Sequence, residues 1–188
     1  MADVTGHAME AAIPVVMFNG ILQIQSEEAA SIEDLFHRLN RSLAHTLERR
    51  KFICFSIAEI NLIDRSLRFS NGGCPYPILY RSSTGKLTEL QADGYPLGIR
   101  TDTTYKTIGI QLAPGDRLVF FSDGIPEAIN AERELFGYDR INAIIQAACG
   151  ADRSADEVIN HLIGEVTSFI GNVSPEDDMT CVVVAVNV

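Results

Sequence analysis

The chain has 188 residues, of which 46% are hydrophobic and 21% are charged, so its composition fits one soluble globular domain and excludes a disordered or low-complexity segment. Twenty-five Asp and Glu against 15 Lys and Arg give a net charge of −10. Because that field repels phosphate backbones and anionic lipid headgroups, the composition disfavours a nucleic-acid-binding protein and a membrane-surface protein.

The first third of the chain predicts two helices. Residues 8–24 are mostly apolar, and their length favours a buried helix with Pro14 near its first turns. A second helix is predicted over 31–49, where Ser31 is a candidate N-cap and Asp34 follows three residues later. Its apolar residues recur at helical spacing, so this helix is expected to pack one face on a core.

The middle of the chain predicts antiparallel hairpins. Residues 52–60 and 66–71 have strand-like patterns on either side of a short polar turn. Residues 77–81 and 86–90 flank a Ser-Ser-Thr-Gly turn in the same way. We therefore expect a largely antiparallel sheet in this region.

The last third mixes strands and helices. Strands are predicted over 104–110, 117–121 and 179–188, and the second of these reads as fully buried. Helices are predicted over 137–149 and 154–170, the latter opening with a capping-box pattern. The order of helices, antiparallel strands, helices and a final strand predicts an α+β domain with helices packed on sheet.

Cysteine usage and the absence of targeting patterns bear on the compartment. Cys54, Cys74, Cys149 and Cys181 show no CxxC pairing, and Cys54 and Cys181 lie in apolar runs, so we expect reduced thiols with these two buried. No apolar stretch approaches the roughly 18 residues that span a bilayer, and no signal-peptide pattern is visible. The expected location is cytoplasmic, without membrane or nucleic-acid partners.

Acidic residues recur at the ends of the predicted elements. Asp3 precedes the first helix, Asp123 follows the buried strand, and Asp177 and Asp178 precede the last strand. Glycines or hydroxyl residues lie beside them, namely Thr5, Gly6, Ser122, Gly124 and Thr180. Carboxylates that converge at a sheet edge repel one another unless a hard divalent cation neutralises them. Asp turns and caps are common in any domain, so spacing alone leaves this ordinary interpretation open beside the metal one.

Five strings carry a family resemblance when they are taken in order. They are DVTGHAMEAAIPV, FSNGGCPYPILYR, DGYPLGI, GDRLVFFSDGIPEAIN with ELFG after it, and EDDMTCVVV. Together they resemble the bacterial SpoIIE-like branch of the metal-dependent type 2C serine/threonine protein phosphatases. The resemblance runs from Asp3 to the end of the chain. It implies a single phosphatase domain over residues 1–188, with an α-β-β-α sandwich of two antiparallel sheets flanked by helices.

The resemblance also implies a site for two Mn²⁺ or Mg²⁺ ions at one edge of the sandwich. Asp3, Asp123 and Asp177 match the family's catalytic metal-binding carboxylates, and the backbone carbonyl of Val4 matches a further ligand. Two ions that share a water lower its pKa and clamp the phosphoryl oxygens, so water can attack phosphorus in line without a protein nucleophile.

Three neighbouring residues are implied to orient ligands or waters beside the metals. They are His7, Asp178 and Thr180. The other histidines, at positions 37, 45 and 161, lie on predicted helices where solvated or packed side chains are expected.

The chain departs from the family pattern at two places. Cys74 stands where the family's Asn-Ala-Gly-His string has its histidine, although the tight turn after Asn71 is expected to survive the change. The family domain also normally begins with a strand pair whose Gly-Gly-Asp aspartate binds metal, and this chain begins just before Asp3. We therefore expect a domain truncated at its N-terminus that lacks one ligand and is weak or inactive alone. It is also expected to self-associate as a homodimer, either by pairing of exposed strand edges or by exchange of the N-terminal helix.

The expected function is hydrolysis of phosphoserine or phosphothreonine on a phosphorylated regulatory protein in bacterial signalling. The family suggests an anti-sigma-factor antagonist as this substrate, and so a role in sigma factor regulation. One alternative is a non-catalytic module that keeps the fold and binds a partner. A metal-dependent nucleotidyl or small-phosphoester hydrolase ranks last, because no P-loop string or basic nucleotide pocket is visible.

Overall fold

The computed structural model of the chain describes residues 1–5, 9–48 and 50–187. In chain order the elements are β1 (Ala2–Val4), α1 (Met9–Glu28), α2 (Ile32–Thr46), β2 (Ile53–Ile60), β3 (Ser66–Gly72), β4 (Ile78–Arg81), β5 (Lys86–Glu89), β6 (Ile108–Gln111), β7 (Arg117–Phe121), α3 (Gly137–Gly150), α4 (Ala155–Ile170) and β8 (Cys181–Ala185). They form two compact units, residues 1–74 with 92–111 and residues 75–91 with the chain from 112 onwards.

The first unit contains a four-stranded antiparallel sheet in the order β1-β2-β3-β6. The predicted β2–β3 hairpin is confirmed, with Ile57 opposite Ser70 in the register. Helix α2 buries Phe36, Leu39 and Leu43 against this sheet, where they pack with β2 residues such as Phe55. The Ser31 side chain accepts a hydrogen bond from the Asp34 amide at 3.2 Å, which confirms the predicted cap.

The second unit contains a four-stranded antiparallel sheet in the order β5-β4-β7-β8. The predicted β4–β5 hairpin and the buried strand β7 are confirmed. Helices α3 and α4 bury one face each against the apolar cluster of this unit, which includes Val119 and Phe121 of β7. The capping box between Ser154 and Glu157 forms at the start of α4 as predicted.

Helix α1 differs from the prediction of a buried helix. It extends to Glu28, and it buries Phe18 while Ile13, Val16 and Ile24 are 70%, 72% and 60% exposed. The apolar residues of α1 surround the helix instead of forming a stripe, so one packed face leaves the others in solvent. No described helix is long and apolar enough to span a membrane.

The structure adds one strand that was not predicted and corrects the expected burial of two cysteines. The strand β1 was not predicted, because three residues are too few to show an alternating pattern and the pairing with β2 creates the strand. Cys54 and Cys181 are only partly buried, whereas Cys74 and Cys149 are buried, and all four thiols are free. Burial raises the pKa of Cys149 and of Cys181 to about 11, so both are protonated at neutral pH.

Candidate metal centre

The end of strand β7 turns sharply and places Asp123 at its exit. The amide of Ile125 donates to the Ser122 carbonyl at 3.2 Å, and the amide of Glu127 donates to the Asp123 carbonyl at 2.9 Å. Ser122 is buried and Asp123 is half-buried. The turn therefore fixes the backbone of Asp123 at the boundary between core and solvent.

The segment 177–180 is attached to this turn through Ser122. The Ser122 hydroxyl donates to the Asp178 carbonyl at 2.9 Å and accepts from the Thr180 amide at 2.9 Å. The Ser122 amide donates to the Thr180 carbonyl at 3.0 Å, one residue beyond the last β7–β8 pair. A side chain on Gly124 would place its Cβ 2.5 Å from the Asp178 carbonyl oxygen, so only glycine permits this approach.

Two aspartates of the second unit have opposite environments. Both oxygens of Asp116 have partners, since Oδ2 accepts from the Arg81 guanidinium at 2.7 Å and Oδ1 from the Ser82 amide at 3.1 Å. Oδ1 of Asp123 is buried and makes no hydrogen bond to any described residue. A buried carboxylate oxygen without a donor is costly, and a bound cation would compensate it. Asp116 is therefore structural, while Asp123 fits a metal ligand.

The pKa of Tyr138 is affected by the carboxylate of Asp123 and by other acidic residues. Its ring centroid lies 6.2 Å from that of Phe121. Burial raises the pKa of the Tyr138 phenol first, and the carboxylates of Glu127, Asp123 and Glu89 raise it further. The potential here is negative, so a phosphate group would be repelled unless a cation were bound.

The remaining acidic residues of this segment are exposed. The Asp178 amide donates to Oδ1 of Asp177 at 2.7 Å, so the Asp177 carboxylate is held against its own backbone. The side chains of Asp177, Asp178 and Thr180 lie in solvent. The structure thus places Asp123 and the segment that carries these three residues side by side.

Asp3 and Val4 lie on β1 in the first unit. Met1 exchanges hydrogen bonds with Ser56 of β2, and Thr5 does so with Phe52, the residue before β2. Antiparallel alternation then puts Asp3 in the hydrogen-bonded pair with its partner on β2, and turns the Val4 carbonyl away from β2. Their roles as metal ligands, which the family resemblance implied, stay predictions.

The loop that contains Cys74 keeps its tight turn without a histidine. Nδ2 of Asn71 donates to the Cys74 carbonyl at 2.8 Å, and Oδ1 accepts from the Cys74 amide at 3.0 Å. Gly73 between them has φ +90°, and a Cβ there would overlap the Pro96 ring. The expectation that this turn survives is confirmed.

The three-carboxylate metal cluster stays a prediction. Within 1–5, 9–48 and 50–187, no three His, Cys, Asp or Glu side chains form a group able to hold a metal ion. His7, predicted to orient a ligand, lies outside the described residues. What the structure adds is the single uncompensated oxygen of Asp123.

A family model supplies the identification. The model described as Stage II sporulation protein E (SpoIIE) matches residues 1–187. The chain belongs to the SpoIIE family. The SpoIIE-like resemblance inferred from the five strings is therefore confirmed.

Similar proteins agree with this assignment. The chain is 25% identical over 183 residues to phosphoserine phosphatase RsbU of Bacillus subtilis (strain 168), which covers 97% of the chain and 53% of RsbU. The chain thus spans about half the length of this relative.

Solved structures show the same fold. The SiaA-PP2C domain of Pseudomonas aeruginosa superposes with a TM-score of 0.85 at 17% identity, over 98% of this chain and 73% of that one. The PP2C domain of SpoIIE from Bacillus subtilis, solved with a fragment of its regulatory domain, gives 0.76 at 22% identity, over 97% and 52%. The predicted fold class, α+β with two antiparallel sheets and flanking helices, is confirmed.

Two residues of the site were not predicted for what they do. The sequence suggested Ser122 only as a residue that eases the backbone path or supplies a hydroxyl ligand, and the structure shows its hydroxyl engaged by the 178–180 backbone. No sequence pattern predicts that Tyr138 lies near Asp123, because this placement depends on how α3 packs.

Proposed function

We propose that this domain hydrolyses phosphoserine or phosphothreonine on a regulatory protein in a reaction that depends on Mn²⁺ or Mg²⁺. The observation that carries the proposal is the buried Oδ1 of Asp123, which lacks a hydrogen-bond donor among the described residues of a SpoIIE-family chain. A cation at this oxygen would offset its buried charge and reverse the local repulsion of phosphate.

The residues proposed to hold two ions are Asp3, the Val4 carbonyl, Asp123 and Asp177. When bound, such ions would lower the pKa of a coordinated water and offset the charge of a phosphate group. Within the first unit the β1–β2 pairing holds the backbone of Asp3 and Val4, and within the second unit the turn after β7 holds the backbone of Asp123. Asp178, Thr180 and His7 are proposed to orient ligands or waters.

The proposed substrate is a phosphorylated anti-sigma-factor antagonist in the cytoplasm. The printed name of RsbU, phosphoserine phosphatase, supports the phosphoprotein part of this proposal. Because the chain has a net charge of −10, it would repel an acidic substrate surface. We therefore expect the substrate surface around the phosphate to be basic or neutral.

A second candidate function is partner binding without turnover. It is favoured by the lack of a three-ligand group among the described residues. In that case phosphoprotein binding would not require a divalent cation.

Substitution of Asp123 tests the proposal. Asp123→Asn should lower Mn²⁺-dependent hydrolysis of an aryl phosphate and of a phosphoserine peptide by more than about 100-fold, because even residues that only support a ligand are worth about 10- to 100-fold. Asp156→Asn removes an exposed charge from the first turn of α4 and is the charge-matched control, expected to match the wild type. Steady-state turnover over a range of Mn²⁺ concentrations checks both.

The outcomes separate the two candidates. Equal turnover by Asp123→Asn and the wild type would overturn the metal-ligand assignment. Absence of metal-dependent turnover in the wild type, together with metal-independent binding of the phosphoprotein, would favour the binding module.

The homodimer is proposed through helix α1. Ile13, Val16 and Ile24 share one exposed helix face, and residues 11–26 carry no charge that would repel a second copy. Val16→Glu should therefore shift the chain toward monomer in sedimentation velocity. Ser26→Glu, exposed on another side of α1, should not. A monomeric wild type, or equal association of all three proteins, would overturn this proposal.

A further inference from the structure

Ser122 holds three hydrogen bonds at the point where the β7–β8 ladder ends. Its backbone amide continues the ladder to Thr180, and its hydroxyl acts at once as donor to Asp178 and acceptor from Thr180. The residue is only 8% exposed. A hydroxyl is needed here, because neither a methyl group nor a carboxylate can donate and accept in this way.

Gly124 confines the same segment from the other side. Its Cα lies so close to the Asp178 carbonyl that a Cβ would collide with backbone atoms. The backbone of residues 177–178 is therefore held between the Ser122 hydroxyl and the Gly124 main chain. The positions of Asp123 and Asp177 relative to each other depend on these backbone contacts, since no described hydrogen bond joins their two side chains.

This attachment limits the movement of an exposed segment. Asp177 and Asp178 lie in solvent, so the segment that carries them would be freer to move outward if the contacts with Ser122 were lost. A segment that moves outward must be brought back when a cation binds, which weakens binding.

We propose that Ser122 is a positioning residue that holds the 177–180 segment against Asp123 and so preorganises the carboxylate oxygens for a divalent cation. This inference rests on the proposed metal-dependent function. It assigns Ser122 no contact with metal or substrate, because its hydroxyl is engaged by two backbone groups.

The test compares Ser122→Ala with Ser122→Thr and Ser154→Ala in the full chain. Ser122→Ala should weaken Mn²⁺ binding about 10- to 100-fold in isothermal titration calorimetry, as expected for residues that orient ligands. Ser122→Thr keeps the hydroxyl and should bind within a few-fold of the wild type. Ser154→Ala removes the hydroxyl of the α4 cap, so it controls for general destabilisation and should leave Mn²⁺ affinity unchanged.

Two additional readouts separate positioning from a purely structural role. Amide hydrogen exchange without metal should be faster at Thr180 in Ser122→Ala and unchanged in Ser154→Ala. In turnover assays, Ser122→Ala should need more Mn²⁺ for half-maximal rate while its rate at saturating Mn²⁺ recovers most of the wild-type value.

Each outcome bears on a different proposal. If the wild type binds Mn²⁺ and folded Ser122→Ala binds it equally well, the positioning role is overturned and the metal-dependent function stands, even if Thr180 exchanges faster. If the wild type binds no Mn²⁺, the proposed function and the positioning role fail together. Loss of affinity in both Ser122→Ala and Ser154→Ala would also overturn the role, because it would reflect general destabilisation.

Discussion

Helices α1 and α4 are both rich in apolar residues, yet they bury them to very different extents. In α4, Val158, Leu162 and Val166 are fully buried, and they recur at spacings of four along one face. In α1, Phe18 is buried while Val16 and Ile24 are mostly in solvent. The two helices are of comparable length, at 20 and 16 residues.

The difference lies in how the apolar residues are arranged around each helix. A stripe at i and i+4 spacing can be buried completely by one neighbouring surface, as the α3 and β8 neighbours do for α4. Apolar residues all round a helix need neighbours on several sides. In its unit α1 packs on α2 and β1, which cover one side only. The apolar content of a segment therefore predicts a helix, whereas the distribution of its apolar residues around the helix axis determines how many of them are buried.

The largest effect that would sharpen this comparison is expected in α4. Leu162→Ala should lower the free energy of unfolding by about 2 to 5 kcal/mol, because it removes a fully buried side chain and leaves a cavity. Chemical denaturation followed by circular dichroism measures it. Leu162→Met nearly conserves volume and should cost less than about 1.5 kcal/mol. A loss below about 1 kcal/mol for Leu162→Ala would contradict the tight packing of α4.

The smallest effect is expected in α1. Ile24→Ala should change the free energy of unfolding by no more than about 0.5 kcal/mol, because the side chain is already mostly in solvent and alanine favours helix. The same denaturation experiment, at protein concentrations low enough to avoid association, measures it. A cost comparable to that of Leu162→Ala would break the comparison, since Ile24 would then be buried in solution.

Elements with local patterns were the ones that could be predicted. The Ser31 cap of α2 and the capping box of α4 are formed by residues three apart, so the sequence displays them directly. Strand β1 could not be found this way, because its partner Cys54 and its neighbours on β2 lie about 50 residues away.

The features of the candidate site also fall into two groups, those that the sequence predicted and those that only the structure shows. Asp123 and Asp177 were visible as acidic residues at element ends, and the family strings gave them roles. The use of the Ser122 hydroxyl was not visible, because its acceptor on Asp178 is 56 residues distant. The sequence also could not show that Oδ1 of Asp123 is buried without a hydrogen-bond donor, because this depends on how the chain packs.

The sequence by itself determined the helices and hairpins, the α+β class and the SpoIIE-family membership, because periodicity, caps, turns and strings are properties of neighbouring residues. Only the tertiary structure decided that α1 exposes one face, that β1 pairs with β2, and that Ser122 and Gly124 hold the segment beside Asp123. Burial, strand pairing and the satisfaction of a carboxylate depend on groups that are distant in the chain and meet only on folding.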